Sequence, residues 1–99
     1  MTDLEIIAVF TPADGRADAV HAALASLVAP SRAEPANRGY TVRRISGAPP
    51  RYAVLERYRD RAAFEAHRVA PHTAAFLERA GELLAQPPEV LILEPEEIR

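Results

Sequence analysis

Apolar and polar residues change their period several times along this chain, and each change marks an element. Residues 4–11 are apolar on both faces of an extended segment: Leu4, Ile6, Ala8 and Phe10 on one, Ile7 and Val9 on the other. Pro12-Ala13-Asp14-Gly15 predicts a turn. From residue 16 to residue 29 the period becomes helical, with Val20, Leu24, Leu27 and Val28 at i, i+4, i+7 and i+8. Pro30 and Pro35 bracket the expected end, because proline disfavours helix in the residue before it. Residues 39–46 predict a second strand, and Gly47-Ala48-Pro49-Pro50 the break that starts a hairpin. Residues 51–58 predict a third strand, rich in the β-favouring Tyr52, Val54 and Tyr58. Asp60 is placed to cap a short helix through residue 69. Pro71 then suits the first turn of another, through residue 85, that would bury Phe76, Leu77, Ala80, Leu83 and Leu84. Gln86-Pro87-Pro88 stops it, residues 90–94 predict a last strand, and 95–99 form a polar tail.

The order β-α-β-β-α-β, with its second helix broken in two, predicts an α+β, ferredoxin-like fold. Its four-stranded antiparallel sheet would carry helices on one face only. In a monomer the other face should be polar. Here it holds Ile7, Val9, Ala53 and Leu55, and Val90-Leu91-Ile92-Leu93 is apolar on both sides. A second sheet must cover that face, and a two-fold homodimer does so most simply. The expected assembly is a dimeric α+β barrel.

Composition narrows the class. Ninety-nine residues make one domain, 1–99, with its core over 4–94. No cysteine is present, which removes disulfides, thiolate nucleophiles and cysteine metal sites. The formal charge of -2, with both signs interspersed, argues against a nucleic-acid partner. No apolar run approaches the ~20 residues of a membrane span, and no basic, apolar N-terminal segment suggests export. A cytoplasmic protein without a membrane partner is expected.

Strand alternation puts Tyr52, Val54, Glu56 and Tyr58 on one face, and helical spacing puts Phe64, His67 and Arg68 on one side of the next element. Tyr58, Phe64 and His67 can then converge on a pocket between sheet and helix, with Glu56 below. Packing explains many of the same residues. His67 can fill the helix–sheet seam, and Glu56 can pair with Arg61, Arg68 or His67. Tyr40 and Tyr52 suit packing, His72 suits a rim or cap position, and His21 suits solvent. Three histidines without cysteine show no zinc spacing, so no metal is expected. Glu34-Pro35-Ala36-Asn37 lies between helix and strand, where Glu34 can accept from the turn's amides.

Three stretches carry a resemblance: Glu34-Pro35-Ala36-Asn37-Arg38-Gly39-Tyr40, Tyr52-Ala53-Val54-Leu55-Glu56-Arg57-Tyr58 and Arg61-Ala62-Ala63-Phe64-Glu65-Ala66-His67. Together they resemble the antibiotic biosynthesis monooxygenase family, small cofactor-free oxygenases of the dimeric α+β barrel type. The resemblance covers residues 4–94 and is best over 32–76. Two departures stand out. Ala36 replaces the family's glycine, so either the turn is adjusted or Asn37 takes the left-handed backbone. Tyr58 replaces the tryptophan that usually ends the third strand. A haem-degrading branch of this fold uses Asn, Trp and His. Only His67 matches it, with Ala8 and Tyr58 in the other positions.

The resemblance implies a homodimer, no cofactor, and a phenolic, hydroquinone or polyketide-like aromatic substrate whose anion reacts with dioxygen. It implies His67 as general base and Tyr58 as orienting donor, with Glu56, Phe64, His72, Asn37 and Phe76 around the substrate. The alternative is a non-catalytic dimeric module that binds a small aromatic ligand.

Overall fold

The computed structural model describes residues 2–98. Strand β1 (Leu4–Phe10) runs through the sheet interior and pairs antiparallel with β3 (Arg51–Tyr58) on one side and β4 (Glu89–Leu93) on the other. β2 (Asn37–Ile45) pairs antiparallel with β3 and completes the order β2-β3-β1-β4. The helices are α1 (Ala17–Arg32), α2 (Arg61–Arg68) and α3 (Pro71–Leu83). The element order and the broken second helix are those the sequence predicts.

Alternation assigns the sheet faces. Ile6, Ala8 and Phe10 of β1 and Tyr52, Val54, Glu56 and Tyr58 of β3 are all buried beneath the helices. Val20, Leu24 and Leu27 bring α1 onto them, and Phe76, Leu83 and Leu84 bring the α3 region. Phe10 and Phe76 meet edge to face, 5.5 Å between centroids, a favoured aromatic geometry. Leu77, expected in the core, is 50% exposed. It lies one residue beyond Phe76 and lines a cavity beside the sheet rather than packing into the core.

Helix α1 continues past Pro30 to Arg32, further than the prolines suggest. Pro30 removes a backbone donor, but the extra turn gains tertiary contacts. Ser31 is fully buried, and Arg32 Nε donates to the carbonyl of Tyr40 at 3.0 Å. The chain then turns through Asn37 N–H donating to the Glu34 carbonyl at 3.1 Å. Among the described residues only glycines have positive φ, so Asn37 does not take the left-handed position. The turn is adjusted instead, and Asn37 Nδ2 donates to the carbonyl of Gly39 at 3.2 Å beside a register shift in β2.

Asp60 caps α2 as expected. Its backbone is extended, at φ -161°, and its carboxylate accepts from Ala63 N–H at 2.9 Å. The open sheet face carries half-buried Ile7 and Val9 with exposed Leu55 and Leu91. All four apolar residues of β4 are at least 38% exposed. Tail residues 94–98 are exposed, and Arg99 lies outside the described residues. Among the described residues no helix is long and apolar enough to cross a membrane.

Candidate functional site

A cavity of about 390 Å³ opens between the sheet and the α2–α3 pair. Ala8, Phe10, Val90 and Ile92 form its sheet side, and Phe64 and Phe76 stand on its helix side. Glu56 and His67 bring polar groups to this largely apolar wall. Apolar lining with few convergent polar groups is the usual character of a small-molecule pocket.

Each polar group arrives for a local reason. Glu56 follows Val54 by two on β3, so alternation turns it toward the helices. Phe64 and His67 are three apart on α2 and share its buried face. Their rings pack against Tyr58, at centroid distances of 5.7 and 5.4 Å. The expected convergence of Tyr58, Phe64 and His67 is therefore present.

The hydrogen bonds were not visible in the spacing. Tyr58 is fully buried and does not line the cavity. Its hydroxyl donates to Glu56 Oε1 at 2.7 Å. Glu34 was expected to accept from the turn's amides. Its Oε2 instead lies 2.8 Å from His67 Nδ1 and 2.6 Å from His72 Nε2. A carboxylate only accepts, so each of these imidazole nitrogens donates its N–H. In the neutral ring, Nε2 of His67 is then the nitrogen with the lone pair. It lies 3.6 Å from Glu56 Oε1, beyond hydrogen-bonding distance. Five side chains thus form one continuous row: His72, Glu34, His67, Glu56 and Tyr58.

Burial raises the pKa of Glu56, and the Tyr58 hydrogen bond and the nearby His67 oppose that rise. Burial and then the Glu56 charge raise the pKa of Tyr58, so its phenol remains a donor. Tyr40 is shifted upward for the same reasons and packs 5.7 Å from the His67 ring.

Of the other expected pocket residues, Phe76 lines the cavity. Asn37 and His72 do not. The Asn37 amide is held by Gly39, and His72 lines a smaller cleft beside Ala23, Leu27 and Arg79. Glu34 was missed as a site residue because it reaches His67 across 33 residues of sequence. The nearest signal was a carboxylate beside a helix-stopping proline. Thr73 also lines the cavity, and its buried hydroxyl has no hydrogen-bond partner among the described residues.

A family model described as antibiotic biosynthesis monooxygenase matches residues 4–79. Rv0793 of Mycobacterium tuberculosis is 36% identical over 90 residues, covering 91% of this chain and 88% of that protein. YcnE of Bacillus subtilis is 35% identical over 66 residues, 67% of this chain and 70% of that protein. Both are named provisionally as monooxygenases. The solved structure of Rv0793 superposes with a TM-score of 0.88 over 98% of both chains, at 33% identity. That of PA3566 from Pseudomonas aeruginosa gives 0.88 over 94% of this chain and 93% of its own, at 34% identity.

Proposed function

Because this chain belongs to the antibiotic biosynthesis monooxygenase family, we propose that it is a cofactor-independent monooxygenase of a phenolic, hydroquinone or polyketide-like aromatic compound. The observation that carries this reading is the oriented imidazole at the cavity wall. Glu34 holds the Nδ1–H of His67, leaving the Nε2 lone pair on the Glu56 side, where both residues line the cavity.

In this reading the substrate ring lies among Phe10, Phe64, Phe76 and Ile92, and His67 Nε2 takes its phenolic proton. A neutral imidazole near pH 7 suits that step. The resulting imidazolium has Glu34 on one side and Glu56 on the other. The electron-rich anion forms a carbon–oxygen bond with dioxygen. The peroxide O–O bond then breaks, one oxygen staying in a quinone and the other leaving as water. The two electrons and two hydrogens that form the water come from the substrate, as do the two electrons taken up by the inserted oxygen, so no external reductant is needed. Burial lets Glu56 hold a proton to higher pH than an exposed carboxyl does, which suits protonating the departing oxygen. Tyr58 acts through Glu56, by its 2.7 Å hydrogen bond, rather than on the substrate itself.

The working unit in this proposal is a homodimer with the open sheet faces packed together. The exposed Leu55, Leu91 and Leu93 on that face support it.

The non-catalytic binding module draws support from one observation: His67 and His72 both find a hydrogen-bond partner in Glu34, as packing residues would. Oxygen uptake separates the two readings. Metal-depleted protein should consume oxygen with a panel of hydroquinones and anthrone-like phenols, and His67→Ala should not. Tight binding of the same compounds with no uptake would leave the binding module.

A further inference from the structure

The row of side chains behind the cavity also gathers three metal-ligating groups. Glu34 comes from the turn after α1, His67 from the end of α2 and His72 from the start of α3. Three elements therefore aim ligand atoms at one place. One ring nitrogen from each of His67 and His72 and a Glu34 carboxylate oxygen all lie within 4.8 Å of one another. The two imidazole rings are 5.9 Å apart and inclined by 56°, so they converge rather than stack.

We propose that Glu34, His67 and His72 form a site for a late first-row divalent cation of the zinc class, which binds in place of the two N–H···carboxylate hydrogen bonds. The donor set supports this class. Two imidazole nitrogens and one carboxylate oxygen are ligands that zinc prefers, whereas calcium and magnesium favour all-oxygen sets. One carboxylate offsets half of the divalent charge, and the two neutral imidazoles add donor nitrogens without adding charge, as in many zinc sites.

The two nitrogen–oxygen pairs need only a small adjustment. Ligands held ~2.0–2.2 Å from a tetrahedral ion lie roughly 3.3 Å apart. The two nitrogen–oxygen distances are now 2.8 and 2.6 Å. Opening them by about half an ångström falls to the least confined members. The His72 side chain is 21% exposed and that of Glu34 16%, against 6% for His67. This exposure also gives an ion a route from solvent and leaves room for a water as fourth ligand.

Occupancy would change the cavity. A cation on His67 Nδ1 moves the imidazole proton to Nε2, so the nitrogen proposed as base becomes a donor. The cation is then an inhibitor of the oxygenase reaction, a consequence that rests on the function proposed above. The site itself does not depend on that function.

Calorimetry of Zn2+ into chelator-treated protein tests the site, with the visible absorption of Co2+ as an independent probe. One ion should bind per chain at micromolar concentration. His72→Ala and Glu34→Gln should each weaken binding at least tenfold, and His21→Ala, a histidine exposed on α1, should not. Circular dichroism establishes that each variant is folded. His72→Ala, at the partly exposed rim, is the variant to rely on if Glu34→Gln unfolds. Absence of saturable binding overturns the proposal. So does unchanged affinity in folded His72→Ala, or loss of binding in His21→Ala. Oxygen uptake is measured on the same samples. Zinc binding by a protein that never turns over would sink the oxygenase reading and leave the site standing. Full turnover at saturating zinc would overturn the inhibitory role.

Discussion

His67 is the residue on which the proposed chemistry turns. His67→Ala should lower turnover by ~100- to 10,000-fold, the usual range for loss of a general base. The residual rate should rise with pH as hydroxide takes the proton. Circular dichroism should show a folded protein, with stability reduced by roughly 1–3 kcal/mol for the cavity left behind. If turnover falls only in proportion to the folded fraction, His67 is a packing residue. Tyr58→Phe deletes one hydrogen bond to Glu56, worth about 1 kcal/mol, and should slow turnover less than His67→Ala does. Equal losses in parallel assays would mean that the phenol does more than hold Glu56. Spacing along β3 and α2 was enough to predict that Tyr58, Phe64 and His67 meet. It did not show where the Tyr58 hydroxyl points, because alternation fixes a face and not the rotamer. Nor did it reveal Glu34, since a contact between residues 34 and 67 exists only once the chain is folded.

Among the elements, α2 depends visibly on its ends. It spans only Arg61–Arg68, too short to persist in water without support. The Asp60 carboxylate supplies part of that support through Ala63 N–H, and this bond, followed by the Arg59 contact, lowers the Asp60 pKa. A carboxyl with a lowered folded-state pKa stabilises the fold above its ordinary pKa of 3.8, and that contribution is lost as pH falls through the folded value. Asp60→Ala should therefore lower the melting temperature at neutral pH and lose its effect in acid, while Asp60→Asn, which still caps, should do less harm. Thermal melts at several pH values check this, and a pH-independent deficit would contradict it. Sequence signals were reliable where one local interaction decides, as at Asp60. They failed where tertiary contacts outweighed a local preference. Pro30 reads as a stop, yet α1 runs on because Ser31 and Arg32 gain contacts with the sheet side. Leu77 reads as core, yet α3 buries Phe76 and Leu83 there and leaves Leu77 half exposed.

For the whole molecule, the open sheet face sets the expected behaviour. Light scattering should give a dimer at micromolar concentration, and Leu55→Asp should dissociate or aggregate it. A monodisperse monomer of the unsubstituted protein would exclude the sheet-to-sheet assembly. The tail should matter much less. Removing residues 96–99 should leave stability nearly unchanged, and a loss above ~2 kcal/mol, the size of a serious core mutation, would show that the tail packs against a neighbour. The apolar second face and the β-α-β-β-α-β order were legible because they follow from period alone.

The position of β1 has a consequence for how the protein is made. β1 sits between β3 and β4, and Glu5 pairs with Leu93. On the ribosome the first strand emerges early, and its β4-side edge waits for the last strand to be synthesised. Through that interval the row Ile6, Ile7, Ala8 and Val9 presents unpaired backbone, the kind of edge that recruits other chains. Nascent chains arrested before residue 89 should be protease-sensitive and bind chaperones, and chains arrested with β4 outside the exit tunnel should be protected. Slower translation between β3 and β4 should lengthen that exposure and lower the yield of folded protein.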